Sequence, residues 1–119
     1  MNNKEELKER FPKMYADVVA GVYHPAGWNE LVAELSAVLN TVCPKIRVIQ
    51  TKEKFATLRF YVSNASALAM NVIEMYEFKS GFVCEDCGKP GRLYETTFGH
   101  RIHTLCCKCA RQRGLKRVR

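Results

Sequence analysis

Residues 84–109 read CEDCGKPGRLYETTFGHRIHTLCCKC, and this stretch holds five of the chain's six cysteines and two of its three histidines. Cys84 and Cys87 form one C-x2-C pair, Cys106 and Cys109 form a second, and eighteen residues lie between Cys87 and Cys106. That is the spacing of a four-cysteine zinc site. Two thiolates three residues apart can meet one ion across a tight turn, with backbone N–H groups directed at their sulfurs. Gly88 follows the first pair, where such a turn needs a positive φ. The expectation is one structural Zn2+ per chain held by Cys84, Cys87, Cys106 and Cys109. Four protein ligands close a zinc tetrahedron and leave no position for a reacting water, so a site of this kind holds a fold together. Cys107 could stand in for Cys106, although Cys107-x-Cys109 is too tight for the same knuckle. His103, or His100, could complete a set with three cysteines. The sequence leaves these alternatives open.

Between the pairs, RLYET and RIHTL flank TFGH as the arms of a hairpin, and ARQRGLKR after Cys109 reads as a short helix. Knuckle, hairpin and helix in that order describe a treble-clef-like module; a zinc ribbon is the alternative. A segment this small with few large apolar residues cannot build its own core. Zinc can contribute roughly 10–16 kcal/mol to such a module.

Outward from this stretch, the N-terminal side reads as a helix and hairpin body, residues 1–83, joined to a module over 84–119. The fold class expected is therefore α+β. NNKEELKERF begins with Asn3 and Glu6 in capping-box spacing. WNELVAELSAVLNTV (28–42) repeats apolar residues at three and four, through Leu31, Leu35, Val38, Leu39 and Val42. Pro44 stops that helix. IRVIQTKEKFATLRFYV (46–62) alternates as two strands around a charged KEK turn. ASALAMNVIEMYEFKSG (65–81) reads as a third helix, capped by Ser63 or Asn64, with Leu68, Val72, Met75 and Tyr76 inward. Tyr23, His24 and Trp28 surround a HPAG loop, where an aromatic anchoring a helix start is the plainer reading and a pocket the sharper one.

The chain carries a formal charge of +7 over 119 residues, distributed unevenly. Ten Lys/Arg against nine Asp/Glu precede Cys84, and nine against three follow from it. A basic module of this kind points to nucleic acid or another acidic partner. Arg101, Lys108, Arg111, Arg113, Lys116, Arg117 and Arg119 are the candidate phosphate contacts. Arg47, Lys52, Lys54 and Arg59 make the hairpin basic too, as a solvated strand rim or as a second nucleic-acid face. No run approaches the ~20 apolar residues of a membrane span. The opening MNNKEELKERF lacks the pattern of a signal peptide. The expected location is the cytoplasm, where clustered thiols bind metal more often than they pair.

GWNELVAELSAVL, KEKFATLRFYV, CEDCGKPG and TLCCKC, in that order, resemble a family of small uncharacterised proteins of phages and bacterial prophages. In them a Gly-Trp-led helix precedes a KEKF-x-x-LRFY-like strand, and a C-x2-C-G-x-P-G knuckle is closed by TLC-x2-C or TLC-x2-H. The resemblance covers about residues 24–110. It implies a bacterial host cell and the ligand set Cys84, Cys87, Cys106 and Cys109, without implying an activity. Ala56-Thr57 stands where a glycine-containing pair is expected, and the Cys106-Cys107 doublet also departs from the pattern.

No glycine-rich phosphate loop and no nucleophile elbow is present. His100 and His103 lack a nearby Asp or Asn to complete a second, catalytic metal site. The reading is a non-enzymatic protein with no small-molecule substrate, binding DNA or RNA through the zinc-clipped basic module. The alternative is a protein-binding module that occupies or inhibits a bacterial host protein.

Overall fold

In the computed structural model, which describes residues 3–18 and 20–118, the body is organised by one hairpin. β1 (Gly21–Val22) runs parallel to β2 (Arg47–Lys54), and β3 (Thr57–Ser63) closes the sheet antiparallel on the other side of β2. KEK is not the turn: Lys54 still pairs with Thr57, and the chain reverses at Phe55 and Ala56, with φ of 53° and 66°. Two consecutive left-handed residues make the turn that matches strand twist. Ala56 occupies a position that favours glycine, within the pair the family resemblance expects to contain one. The turn is held by the Ala56 N–H donating to the Glu53 carboxylate at 2.8 Å. The register shifts between Val48 and Gln50. The buried positions therefore move from Val48 to Thr51, and simple alternation through Gln50 fails at this bulge.

α2 (Asn29–Val42) buries Leu31, Val32, Leu35, Ser36 and Leu39, a stripe turned slightly from the expected one, so Val42 is exposed. α3 (Ala67–Ser80) is capped by Ser66, whose hydroxyl accepts the Ala69 N–H at 3.1 Å; Ser63 and Asn64 lie upstream of the cap. It buries Ala69, Ile73, Tyr76 and Ser80, while Leu68 and Met75 face solvent. The reason is the open edge of β3. Ser80 Oγ accepts the Leu58 N–H at 2.8 Å, and the Glu77 carboxylate accepts the Phe60 N–H at 2.9 Å. An uncovered edge would leave those donors unsatisfied or open to another strand. Of the four apolar residues expected inward, Tyr76 is in the core and Val72 packs against it, whereas the polar contacts to the β3 edge leave Leu68 and Met75 outside.

α1 (Asn3–Arg10) adds Leu7 to the core. Asn3 is already helical, and its amide lies 2.5 Å from the ring of His24, so it serves as a contact with the loop beyond. His24 is buried. Its Nε2 lies 3.1 Å from Asn29 Oδ1, and its Nδ1 shares a hydrogen bond of 2.7 Å with the Thr51 hydroxyl. Burial lowers its pKa to about 4, against which the Asn29 hydrogen bond works only partly, so the ring is neutral and joins the loop after β1 to α2 and β2.

The module follows without a linker. β4 (Arg92–Glu95) and β5 (Ile102–Leu105) form the expected hairpin, and α4 (Cys107–Arg113) follows. The helix begins two residues before Cys109, earlier than ARQRGLKR suggests. Gly114, at φ 71°, ends it in the left-handed conformation, and Lys116–Arg117 return as β6 along the free side of β4. The basic C-terminal stretch is therefore part helix, with Arg111 and Arg113 in the last turn of α4, and part strand, with Lys116 and Arg117 on β6.

Body and module interlock through the HPAG loop and the β2–β3 turn. The fully buried Trp28 donates from Nε1 to the Val83 carbonyl at 2.8 Å. The Gly27 N–H donates to the Glu85 carbonyl at 2.7 Å, and Thr104 Oγ1 donates to the Ala56 carbonyl at 2.8 Å. A Cβ on Gly27 would stand 2.5 Å from the Glu85 carbonyl carbon, against backbone that cannot swing aside. Gly27→Ala should therefore lower stability by about 1–3 kcal/mol. Denaturant unfolding followed by Trp28 fluorescence checks this, and an unchanged midpoint would mean that the contact is not tight.

Candidate metal centre

Two loops build the site. In the first, the Cys84 N–H donates to the Lys89 carbonyl at 2.7 Å and the Gly88 N–H donates back to the Cys84 carbonyl at 3.0 Å. Gly88 has φ 81°, the positive value the sequence spacing calls for. In the second, Cys106 is the N-cap of α4: its sulfur accepts the Cys109 N–H at 3.4 Å. That puts Cys106 ahead of the helix and Cys109 in its first turn, both sulfurs on one side.

The four sulfurs of Cys84, Cys87, Cys106 and Cys109 all lie within 4.8 Å of one another. Cys87 Sγ and Cys106 Sγ, one from each loop, are 3.6 Å apart. A tetrahedron of Zn–S bonds of about 2.3 Å has edges of about 3.8 Å. The Cys87–Cys106 separation is close to that and all four sulfurs lie within 4.8 Å, so the thiols are positioned to close on such an ion. The same separation is far too long for a disulfide, and all six cysteines are free thiols. Cys84 and Cys109 are buried, whereas Cys87 faces solvent.

Electrostatics sharpen the arrangement. The Cys109 N–H stabilises the Cys106 thiolate and brings that thiol down to about 7. The hydrogen bond to Cys106 and the loss of solvent push Cys109 up to about 12. At Cys87 the Lys89 N–H favours the thiolate, but desolvation and the Cys106 and Cys84 thiols together raise it. Four sulfurs this close cannot all carry charge unless a cation sits among them.

The other candidate ligands lie elsewhere. Cys107 is exposed, and its sulfur accepts from Arg111 Nη2 at 3.6 Å. His103 Nδ1 lies 3.1 Å from the Glu85 carboxylate, outside the thiol group. His100, at φ 52°, belongs to the β4–β5 loop.

Glu85 is the residue that sequence reasoning missed. Its carboxylate is buried and accepts the Thr104 N–H at 2.6 Å, while its own N–H donates to the Thr104 carbonyl at 2.8 Å. Desolvation raises its pKa against the pull of the Thr104 and His103 hydrogen bonds. It thus ties the first knuckle to β5 and, through its carbonyl, to Gly27. Asp86 adds a forked pair with Arg113, Nε–Oδ2 at 2.8 Å and Nη2–Oδ1 at 2.5 Å, joining the first knuckle to the end of α4. The only signal in the sequence was two acids inside a basic module, which fixes neither partner.

Of the basic candidates, Arg113 is engaged by Asp86. Arg101, Lys108, Arg111, Lys116 and Arg117 are exposed, with Lys108 and Arg111 one turn apart on α4 and Lys116 and Arg117 on β6. Arg119 lies outside the described residues. Among the described residues, no helix is long and apolar enough to cross a membrane. No protein-family model, curated protein or solved structure matches the chain.

The geometry separates the two neighbouring cysteines sharply. Cys106→Ser should abolish the intense thiolate-to-metal absorption that Co2+ gives in a four-sulfur site, and Cys107→Ser and His103→Ala should keep it. Loss of the band in Cys107→Ser would put the wrong sulfur in the site.

Proposed function

We propose that this is a non-enzymatic, zinc-containing accessory protein of phage type that binds nucleic acid in the cytoplasm of a bacterial host, its zinc-clipped module supplying phosphate contacts. Thiolates are soft ligands, and four in a tetrahedral set suit zinc. The coordination such an ion would have is filled by protein, which supports a structural role.

One observation carries the nucleic-acid reading. Among the described residues, Arg92, Arg101, Lys108, Arg111, Lys116 and Arg117 form no ion pair. Two of the module's three acids are already engaged, Glu85 inside the fold and Asp86 with Arg113. A surface with this many uncompensated cations attracts a polyanion and releases its counterions on contact.

A second reading, occupation of a host protein, is supported by the outward side of α3. Leu68, Met75 and Phe78 are all more than half exposed, and spacings of seven and three put them on one side. The similarly exposed Phe82, just past the helix, stacks edge-on to Phe78 with ring centroids 5.3 Å apart.

The two readings differ in their response to salt. Affinity for generic duplex should fall with a logarithmic slope of about 0.9 for each phosphate contact. Combined Arg111→Ala, Lys116→Ala and Arg117→Ala should flatten that slope and weaken all sequences alike, because phosphate contacts carry no base information. Arg113→Ala should change it less, since Asp86 already compensates that charge. No binding to duplex or single strand at low salt would remove the nucleic-acid reading and leave the α3 surface as the functional one.

A further inference from the structure

The sheet of the body has one face packed on α2 and α3 and one face open. Thr51, Leu58 and Phe60 point inward and are buried. Their neighbours point outward, with Lys52 opposite Arg59, Lys54 opposite Thr57, and Gln50 opposite Tyr61. Val22 pairs with Thr51 and packs on the core, so Tyr23, the next residue, emerges on the outward side. Gly21 leaves the space its ring fills: a Cβ there would stand 2.5 Å from Tyr23 Cζ.

This face combines two chemistries. Tyr23, just past the end of β1, is 68% exposed and Tyr61 on β3 is 41% exposed, on either side of β2 and so two strand spacings, about 10 Å, apart. Lys52 Nζ lies 5.7 Å from the Tyr61 ring centroid, and Lys54 Nζ lies 5.6 Å from that of Phe55, itself 68% exposed at the hairpin turn. The outward positions of β2 and β3 carry no acid: Glu53 points inward, to the Ala56 N–H. At the β3 edge Arg59 favours the charged form of Glu77, whose carboxylate accepts the Phe60 N–H, so Arg59 is partly compensated while Lys52 and Lys54 form no ion pair among the described residues. At the β2–β3 turn this face meets the module, where Glu53, Lys54, Phe55, Arg101 and Ile102 line one cleft between the two hairpins; Glu53 is the one acid there, and its carboxylate accepts the Ala56 N–H.

We propose that the outward face of the β1–β2–β3 sheet is a binding surface for single-stranded nucleic acid, with bases stacking on Tyr23 and Tyr61 and phosphates held by Lys52, Lys54 and Arg59. Exposed rings separated by cations match a strand whose bases are free to splay; the bases of a duplex are already stacked on one another and cannot reach them. The inference rests on the nucleic-acid reading above and adds to it a substrate class and a second surface. The module's cations act on any phosphate backbone, whereas these rings act only on unpaired bases.

The test uses the full-length, metal-loaded protein and two labelled probes, an oligo-dT of about 12 nucleotides and a duplex of equal length, at low salt. Wild type should bind oligo-dT more tightly than duplex. Tyr23→Ala and Tyr61→Ala should each weaken oligo-dT binding by about fivefold or more while leaving duplex binding unchanged. Tyr61→Phe, which keeps the ring, should retain oligo-dT binding. Both tyrosines are at the surface, and unchanged metal content and circular dichroism show that the variants fold. If oligo-dT binding persists in both alanine variants and falls only with the module's cations, the sheet surface is overturned and the nucleic-acid reading stands. If neither probe binds, both fail.

Discussion

The structure of the module depends on four thiols that meet from two loops, Cys87 and Cys106 being nineteen positions apart in sequence. Four thiolates this close are unfavourable without a cation among them. Each loop is nevertheless shaped so that its sulfurs converge, the first by the left-handed Gly88 and the second by the helix that Cys106 caps. The apolar cluster around them contains only Cys84, Tyr94, Leu105, Cys109 and Ala110, with Cys106 and Leu115 beside it. Two of the buried members are ligands themselves. Such a core offsets little of the entropy of ordering the segment, and a metal bound at the thiols would supply binding energy toward the difference.

The module is not simply appended to the body. Trp28 and Gly27 reach across to Val83 and Glu85, and Ala56 receives Thr104. Glu85 lies between the two cysteines of the first knuckle and also binds β5, so the thiol cluster, the module's hairpin and the HPAG loop share one residue. The same contacts bring the β2–β3 turn beside Arg101. The β2–β3 turn and the module's hairpin loop thus share one cleft, lined by Glu53, Lys54, Phe55, Arg101 and Ile102.

Much of this was legible where chemistry imposes spacing. The paired cysteines, the hairpin between them, the β2–β3 pairing and the long second helix all follow from local pattern. The failures share a cause: a distant partner overrode a local rule. The inward side of α3 is set by the N–H groups of Leu58 and Phe60, which no periodicity within α3 reveals. The turn sits at Phe55-Ala56 because a bulge at Ile49 and the pairing of Lys54 with Thr57 fix the register, although neither residue is a usual left-handed one. The roles of Glu85 and Asp86 needed the fold, because their partners lie nineteen and twenty-seven positions away. Gly114 was legible as the end of α4, but the return of Lys116–Arg117 as a strand depends on their pairing with Tyr94 and Glu95 of β4.

X-ray absorption at the metal edge of the protein as purified addresses the thiol cluster most directly. The account predicts one zinc per chain with four sulfur neighbours at about 2.3 Å and no nitrogen or oxygen in the first shell. A nitrogen neighbour at about 2.0–2.1 Å would bring a histidine into the site, and protein that folds fully with no metal at all would contradict the dependence of the module on its thiols.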